Sequence, residues 1–223
     1  MNFNAQAQAK YAKQDYSPKR RIEGLEIVEL KRFNDDGGSM CELGRMDEGL
    51  HKQLPGFIVR QMNYSVMEPL AIKAFHLHKR QTDVWFVPPT DKLLLVVADV
   101  RAGSPTEGMV QRIVLGDGNS RLVRIPPGVA HGVKNLRPAT CGQIIYFVDV
   151  QFSVDEHCDE GRLPWDHFGT VLVDRELHIN EVDDLATGCR SQILDTVGNA
   201  RRDAHQARVA IAQDDALHHA LRR

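Results

Sequence analysis

Residues 122–135 read LVRIPPGVAHGVKN, and this stretch decides the fold. An apolar, alternating strand runs into the turn Pro126-Pro127-Gly128. The prolines pre-set the turn backbone and the glycine allows positive φ. His131 follows three residues after that glycine, and Asn135 comes four residues later. The turn delivers a histidine into the start of the next strand, which is how a small β-barrel presents a ligand or a base to its interior.

Working outward, strand signals dominate from residue 22. Candidate strands are 25–32, 56–64, 72–78, 84–87, 92–100, 111–115, 121–125, 132–135 and 144–152, punctuated by NDDGG, RAGSP and GDGNS. Many short strands at fairly even spacing predict a sandwich or barrel rather than an α/β sheet. No long amphipathic helix interrupts residues 25–155, and GxGxxG, P-loop and HExxH motifs are absent. The run LLLVVA between Lys92 and Asp99 is too short to cross a bilayer and suits a buried strand.

A chain of 223 residues can bury a real core as one domain with an appendage. Formal net charge is -2 with acids and bases interspersed, so neither nucleic acid nor a membrane surface is expected as a partner. The first twenty residues are polar and do not read as a signal peptide. Cys41, Cys141, Cys158 and Cys189 form no CxxC pair, which predicts free thiols in a reducing cytoplasm. Residues 1–21 read as an N-terminal arm or short helix, 22–169 as the β domain, and 170–223 as a mostly helical extension rich in Ala, Arg, Gln and Asp. His218 and His219 near the C-terminal end read as solvent-exposed residues.

The spacing PxGxxHxxxN at 127–135 resembles the second motif of the cupin superfamily, and AFHLHKRQTD at 74–83 resembles an altered first motif. More specifically, residues 24–169 resemble the dTDP-4-dehydrorhamnose 3,5-epimerase family. The resemblance rests on DVRAGSPTEG (99–108), RIPPGVAHG (124–132), QMNYS (61–65) followed by IKAFH (72–76), and GRLPWDHFG (161–169). It implies an all-β cupin jelly-roll barrel, carrying here the helical C-terminal extension. It also implies a homodimer that exchanges an N-terminal strand, with residues 25–32 the candidate. The implied substrate is a nucleotide-diphospho-4-keto-6-deoxyhexose, with no metal and no organic cofactor.

The chemistry such a substrate needs fits these residue types. A C4 ketone acidifies the protons on C3 and C5, so a base can remove one and an acid can return it to the opposite face. Histidine titrates near neutrality and is the natural base. A carboxylate on its far ring nitrogen fixes the tautomer, and cations near the ketone oxygen hold the developing enolate. The resemblance implies His76 as the base, Asp166 as its carboxylate partner, and His131 and Lys73 around the oxyanion. Gln61 and Asn63 match nucleotide-contacting positions, Glu42 matches a family glutamate, Lys92 matches a strand-opening lysine if 81–92 loops out, and Tyr146 is a substrate-side tyrosine.

Five departures stand out. Lys73 replaces the family arginine and cannot form a bidentate fork. Phe152 aligns with the tyrosine acid and cannot donate a proton, leaving Tyr64 and Tyr146 as substitutes. Gly37 stands where an arginine is expected, and the insert 81–92 displaces the lysine near the ketone, with Asp83 as a local carboxylate and Trp85 and Phe86 as pocket walls. Finally, His78 makes a His-x-His pair on one strand face. With His131 this leaves an alternative open, a metal-dependent cupin using His76, His78 and His131, with Asp83 or Gln81 standing in for the missing glutamate. A non-catalytic sugar-nucleotide-binding cupin is the other alternative.

Overall fold

Period-two alternation, interrupted by glycine- and proline-rich turns, resolves into twelve strands among the described residues. The computed structural model describes residues 2–46, 54–169 and 171–172. A short helix α1 (Ala5–Lys10), whose Ala7 N–H is capped by the Asn4 side chain at 2.9 Å, lies in the N-terminal arm. The strands are β1 (Glu26–Glu29), β2 (Arg32–Asp35), β3 (Gly38–Cys41), β4 (Gln61–Met67), β5 (Ile72–Leu77), β6 (Asp83–Phe86), β7 (Lys92–Asp99), β8 (Val110–Gly116), β9 (Arg121–Ile125), β10 (Val129–Asn135), β11 (Gly142–Val148) and β12 (Gly161–Arg162). They form two five-stranded antiparallel sheets, ordered β1-β9-β6-β11-β4 and β12-β5-β10-β7-β8, plus the hairpin β2-β3. The arrangement is jelly-roll-like, with two separate sheets rather than one closed ladder.

Both sheets are apolar on two faces. Between them lie Trp85, Val123 and Ile125 from the first sheet and Leu93, Leu95, Val97 and Val133 from the second. On the far side of the second sheet, Leu94, Val96, Ala98 and Phe75 pack beneath Leu163, Phe168 and Val171. Phe75 and Phe168 meet edge to face at 4.9 Å. Val84, Phe86, Leu122 and Phe147 bury the outer side of the first sheet under Leu54 and Phe57. A strand covered on both faces is apolar at consecutive positions, which explains LLLVVA.

Two features of the opening stretch act structurally. Gly128 sits at φ 74°, and a Cβ there would run into Arg101 Cγ. Asn135 is buried, and its amide donates to the carbonyls of Glu68 at 3.1 Å and Thr140 at 2.8 Å. The motif asparagine therefore ties together the loops after β4 and before β11.

The segment DVRAGSPT also has a structural reading. Asp99 is 1% exposed at the end of β7. Its Oδ1 accepts from Arg101 Nε at 2.8 Å, and its Oδ2 accepts from Ser104 Oγ and Thr106 Oγ1, each at 2.6 Å. The Arg101 hydrogen bond, aided by the two hydroxyls and opposed by burial, holds the Asp99 carboxyl far below the usual carboxylate range. This depressed value contributes stability above the unfolded-state pKa of about 3.9, and the contribution is lost as pH falls toward the folded value. Asp99→Ala is expected to cost about 2–3 kcal/mol by urea denaturation, less than a fully buried pair because Arg101 retains access to water. An unchanged urea midpoint would contradict this.

The sequence pattern missed the hairpin β2-β3 around NDDGG and the two-residue β12. Strand β11 stops at Val148, so Phe152 lies beyond it and is exposed. Strand β1 pairs with β9 of the same chain from Glu26 opposite Arg124 to Glu29 opposite Arg121. The expected helices of 170–223 lie outside the described residues, apart from Val171 and Leu172 in a bend. Among the described residues, no helix is long and apolar enough to cross a membrane.

Candidate active site

Antiparallel register brings the histidines together. His131 of β10 lies opposite His76 of β5, and the pairing shifts between His131 and Val133. Gly132 occupies that irregularity, where a Cβ would run into Ala74 Cβ. The missing side chain lets β5 approach closely enough to set His76 and His131 face to face, with ring centroids 5.9 Å apart. His78 follows β5, and its ring lies 5.6 Å from that of His131.

The opposite wall comes from the first sheet. Trp85 of β6, Tyr146 of β11 and Asn63 of β4 form one cross-strand row, and Asp83, Val148 and Gln61 form the next row on the same face. Trp85 and Tyr146 belong to the layer between the sheets, and the Trp85 ring lies 5.3 Å from His131.

His76 Nδ1 lies 2.6 Å from Glu160 Oε1, and both side chains are roughly three-quarters buried. Burial opposes ionisation of Glu160, but the hydrogen bond and charge of His76, with His78 and Arg162, draw its pKa below the usual value. The carboxylate beside His76 is therefore Glu160, where the sequence reading placed Asp166. Asp166 is exposed in the turn after β12, and Pro164 and Gly169 frame that turn through backbone hydrogen bonds. Glu160 wins because β12 pairs with β5, setting Gly161 opposite Leu77 and Arg162 opposite His76. An Asp159-Glu160 pair before a glycine looks like a solvated loop, and only a two-residue strand reveals otherwise.

His131 is fully enclosed, with Nε2 3.4 Å from Asp83 Oδ2 and Nδ1 3.2 Å from the Val129 carbonyl. Burial disfavours its cation, but the Asp83 hydrogen bond and charge outweigh that and raise its pKa. Asp83 is pulled the other way. Against its burial, His131, His78 and the Trp85 indole hold its pKa at about 2. Asp83 also accepts from Gln81 Nε2 at 2.8 Å and from Trp85 Nε1 at 3.0 Å.

The remaining expected residues divide into two groups. Lys73 donates to Ser65 Oγ at 3.2 Å across the space between the sheets, and Gln61 donates to Asn63 Oδ1 at 2.8 Å. With Tyr146 these stand around the histidines. Glu42 lies apart after β3, ion-paired with Arg45 at 2.9 Å. Lys92 opens β7, paired with Asp117 at 3.1 Å, whereas the β7 residue opposite His131 is Val97. The insert 81–92 does not loop out; its first half forms β6, so Lys92 is carried away from the site. Of the two substitute tyrosines, Tyr64 points outward and donates to Gln143 Oε1 at 2.9 Å, leaving Tyr146 on the inner face. Asp159 supports the site from below, accepting the N–H groups of Arg80 and Gln81 at 2.9 and 2.8 Å while its carbonyl accepts from His78.

A histidine paired with a carboxylate, beside a second buried histidine and a lysine, can remove a carbon-bound proton next to a carbonyl and hold the resulting charge. Similarity to known proteins points the same way. Residues 19–183 match the model of the dTDP-4-dehydrorhamnose 3,5-epimerase family. The spore coat polysaccharide biosynthesis protein SpsL of Bacillus subtilis is 39% identical over 147 residues, covering 65% of this chain and 91% of SpsL. The solved dTDP sugar isomerase of Desulfovibrio desulfuricans is 27% identical with a TM-score of 0.57, covering 66% of this chain and 87% of that one. The RmlC epimerase of Legionella pneumophila, solved with dTDP-4-keto-L-rhamnose, is 25% identical with a TM-score of 0.56, covering 66% and 76%. The chain thus belongs to the dTDP-4-dehydrorhamnose 3,5-epimerase family and is a nucleotide-sugar epimerase.

Proposed function

We propose that the protein inverts C3, C5 or both in a nucleotide-diphospho-4-keto-6-deoxyhexose, with His76 as the base. The observation that carries this reading is the 2.6 Å contact between His76 Nδ1 and Glu160, facing the interior beside His131. The Glu160 carboxylate accepts the hydrogen bond from Nδ1, which fixes that nitrogen as the protonated one and leaves Nε2 as the basic lone pair. His131 and Lys73 bear positive charge toward the ketone oxygen as the enolate forms. Gln61 and Asn63 contact the nucleotide side, and Tyr146 takes the place of the acid that Phe152 cannot be. Incubation with dTDP-4-keto-6-deoxyglucose in D₂O is the test. NMR is expected to show solvent deuterium entering C3, C5 or both, whereas absence of exchange with every 4-keto sugar nucleotide tried would refute the reading.

The same proposal includes a cytoplasmic homodimer. Supporting the compartment, Cys41, Cys141 and Cys158 are free thiols. Supporting the dimer, β4 is a sheet edge whose outward row Met62, Tyr64 and Val66 is 64%, 61% and 43% exposed. An edge strand with an apolar outer row invites a second copy. Light scattering at micromolar concentration is expected to give twice the mass of one chain, and a monomer would overturn the assignment.

A further inference from the structure

Residues 78–82 carry the chain from β5 in the second sheet to β6 in the first. They lie outside both strands, so their backbone N–H groups must find other acceptors. Asp159 supplies most of them. Its Oδ1 accepts from the Lys79 N–H at 3.1 Å, and its Oδ2 accepts from the N–H groups of Arg80 and Gln81 at 2.9 and 2.8 Å. Successive N–H groups converging in this way form a nest for an anion, and here the chain's own carboxylate fills it. The Asp159 side chain is 8% exposed, although Lys79 and Arg80 lie at the surface. Against its burial, the N–H groups of Gln81, Arg80 and Lys79 and the charge of His78 hold its pKa below the usual value. The Asp159 carbonyl accepts from His78 Nδ1 at 2.8 Å, which fixes the proton on that nitrogen.

Both histidine–carboxylate pairs of the site hang on this fastening. Glu160, the next residue, meets His76 at 2.6 Å. Gln81, whose N–H Asp159 holds, donates its side-chain amide to Asp83 Oδ1 at 2.8 Å, and Asp83 Oδ2 faces His131 at 3.4 Å. The ladder of the second sheet does not reach Glu160, because β12 begins at Gly161. Asp83 is the first residue of β6, so its placement depends on how the crossover arrives.

We propose that Asp159 is a positioning residue that sets the His76–Glu160 and His131–Asp83 pairs relative to each other. The proposal rests on the epimerase reading and deepens it. The base and the group that holds the enolate must face one reacting carbon and its ketone together, yet their carboxylates come from separate segments. A misplacement of about 1 Å can cost on the order of 10²-fold in rate. Asp159 joins those segments with its own oxygens fully engaged.

The experiment has two arms. In the first, the wild-type full chain without substrate is followed by amide hydrogen exchange and imidazole ¹⁵N NMR. The N–H groups of Lys79, Arg80 and Gln81 are expected to exchange slowly despite the surface position of the crossover, and His78 to carry its proton on Nδ1. Exchange of these amides at the rate of an open loop, or a His78 proton on Nε2, overturns the proposal. In the second arm, Asp159→Asn leaves a single acceptor oxygen and turns an NH₂ toward at least one of the N–H groups. Turnover is expected to fall by about 10²-fold with KM within about twofold. The imidazole signals of His76 and His131 should both shift, and exposed His167 should stay in place. A variant that loses only stability, with turnover of the folded protein intact, refutes the proposal, as does failure of either imidazole signal to shift. Added to Glu160→Gln, the same change should cost less than in the wild type, because one of the two pairs is already broken. An equal factor in both backgrounds means that Asp159 does not act through Glu160, and refutes the proposal. Should Asp159→Asn fail to fold, the first arm decides. Wild-type protein that exchanges no deuterium into any 4-keto sugar nucleotide sinks the epimerase reading, whereas the amide and imidazole measurements test Asp159 without substrate.

Discussion

Replacing His76 with alanine or asparagine is expected to lower the rate of deuterium entry into the 4-keto sugar by roughly 10²–10⁴-fold, the usual contribution of a positioned base. The fold should survive. The His76 side chain is 24% exposed and belongs to none of the apolar clusters, so truncation opens no core cavity. Its neighbour Phe75 is fully buried on the opposite face of β5 and keeps the strand seated. Asparagine retains some hydrogen bonding to Glu160 but cannot accept a proton near neutrality, so both variants should lose the chemical step with binding largely intact. A wild-type rate of deuterium wash-in by either variant would remove His76 from the mechanism.

Glu160→Gln is expected to cost about 10²-fold or more in turnover, approaching the ~10⁴-fold seen where a carboxylate fixes the tautomer of a catalytic histidine. Glutamine keeps the size of the side chain but can turn its NH₂ toward His76 Nδ1. That favours the tautomer with the proton on Nε2, where the substrate must deliver one. The carboxylate also stabilises the imidazolium formed by proton abstraction, and the neutral amide does not. Asp166→Asn serves as the contrast and is expected to leave turnover within about twofold, as befits an exposed surface change. If Asp166→Asn were crippled and Glu160→Gln were active, the carboxylate assignment would return to Asp166.

The contrast between these two acids shows where sequence reading ended. Asp166 matches by its place in the segment GRLPWDHFG, a linear property. Glu160 reaches His76 because β12 adds to the edge of β5, and two residues of strand carry no periodicity to detect. Lys92 failed similarly. It matched by position in the chain, but the residues before it fold into β6 and carry it to an ion pair with Asp117. Asp83 was visible as a local carboxylate, yet its pairing with His131 joins strands of different sheets.

What the sequence determined by itself was local and repetitive. Alternation and turn residues settled the all-β class, the Pro-Pro-Gly turn placed His131 at the start of a strand, and the apolar run at 93–98 marked a strand buried on both faces. His76 and His78 are legible as neighbours two residues apart because residue type and spacing are local properties, although β5 ends at Leu77 and His78 follows it. Only the tertiary structure decided which carboxylate serves which histidine. Those contacts depend on antiparallel register, on a bulge at Gly132 that lets two strands draw together, and on the separation of two sheets. A one-residue slip in register exchanges every inward side chain for an outward one, so the chemistry of the site is set by packing that no single segment encodes.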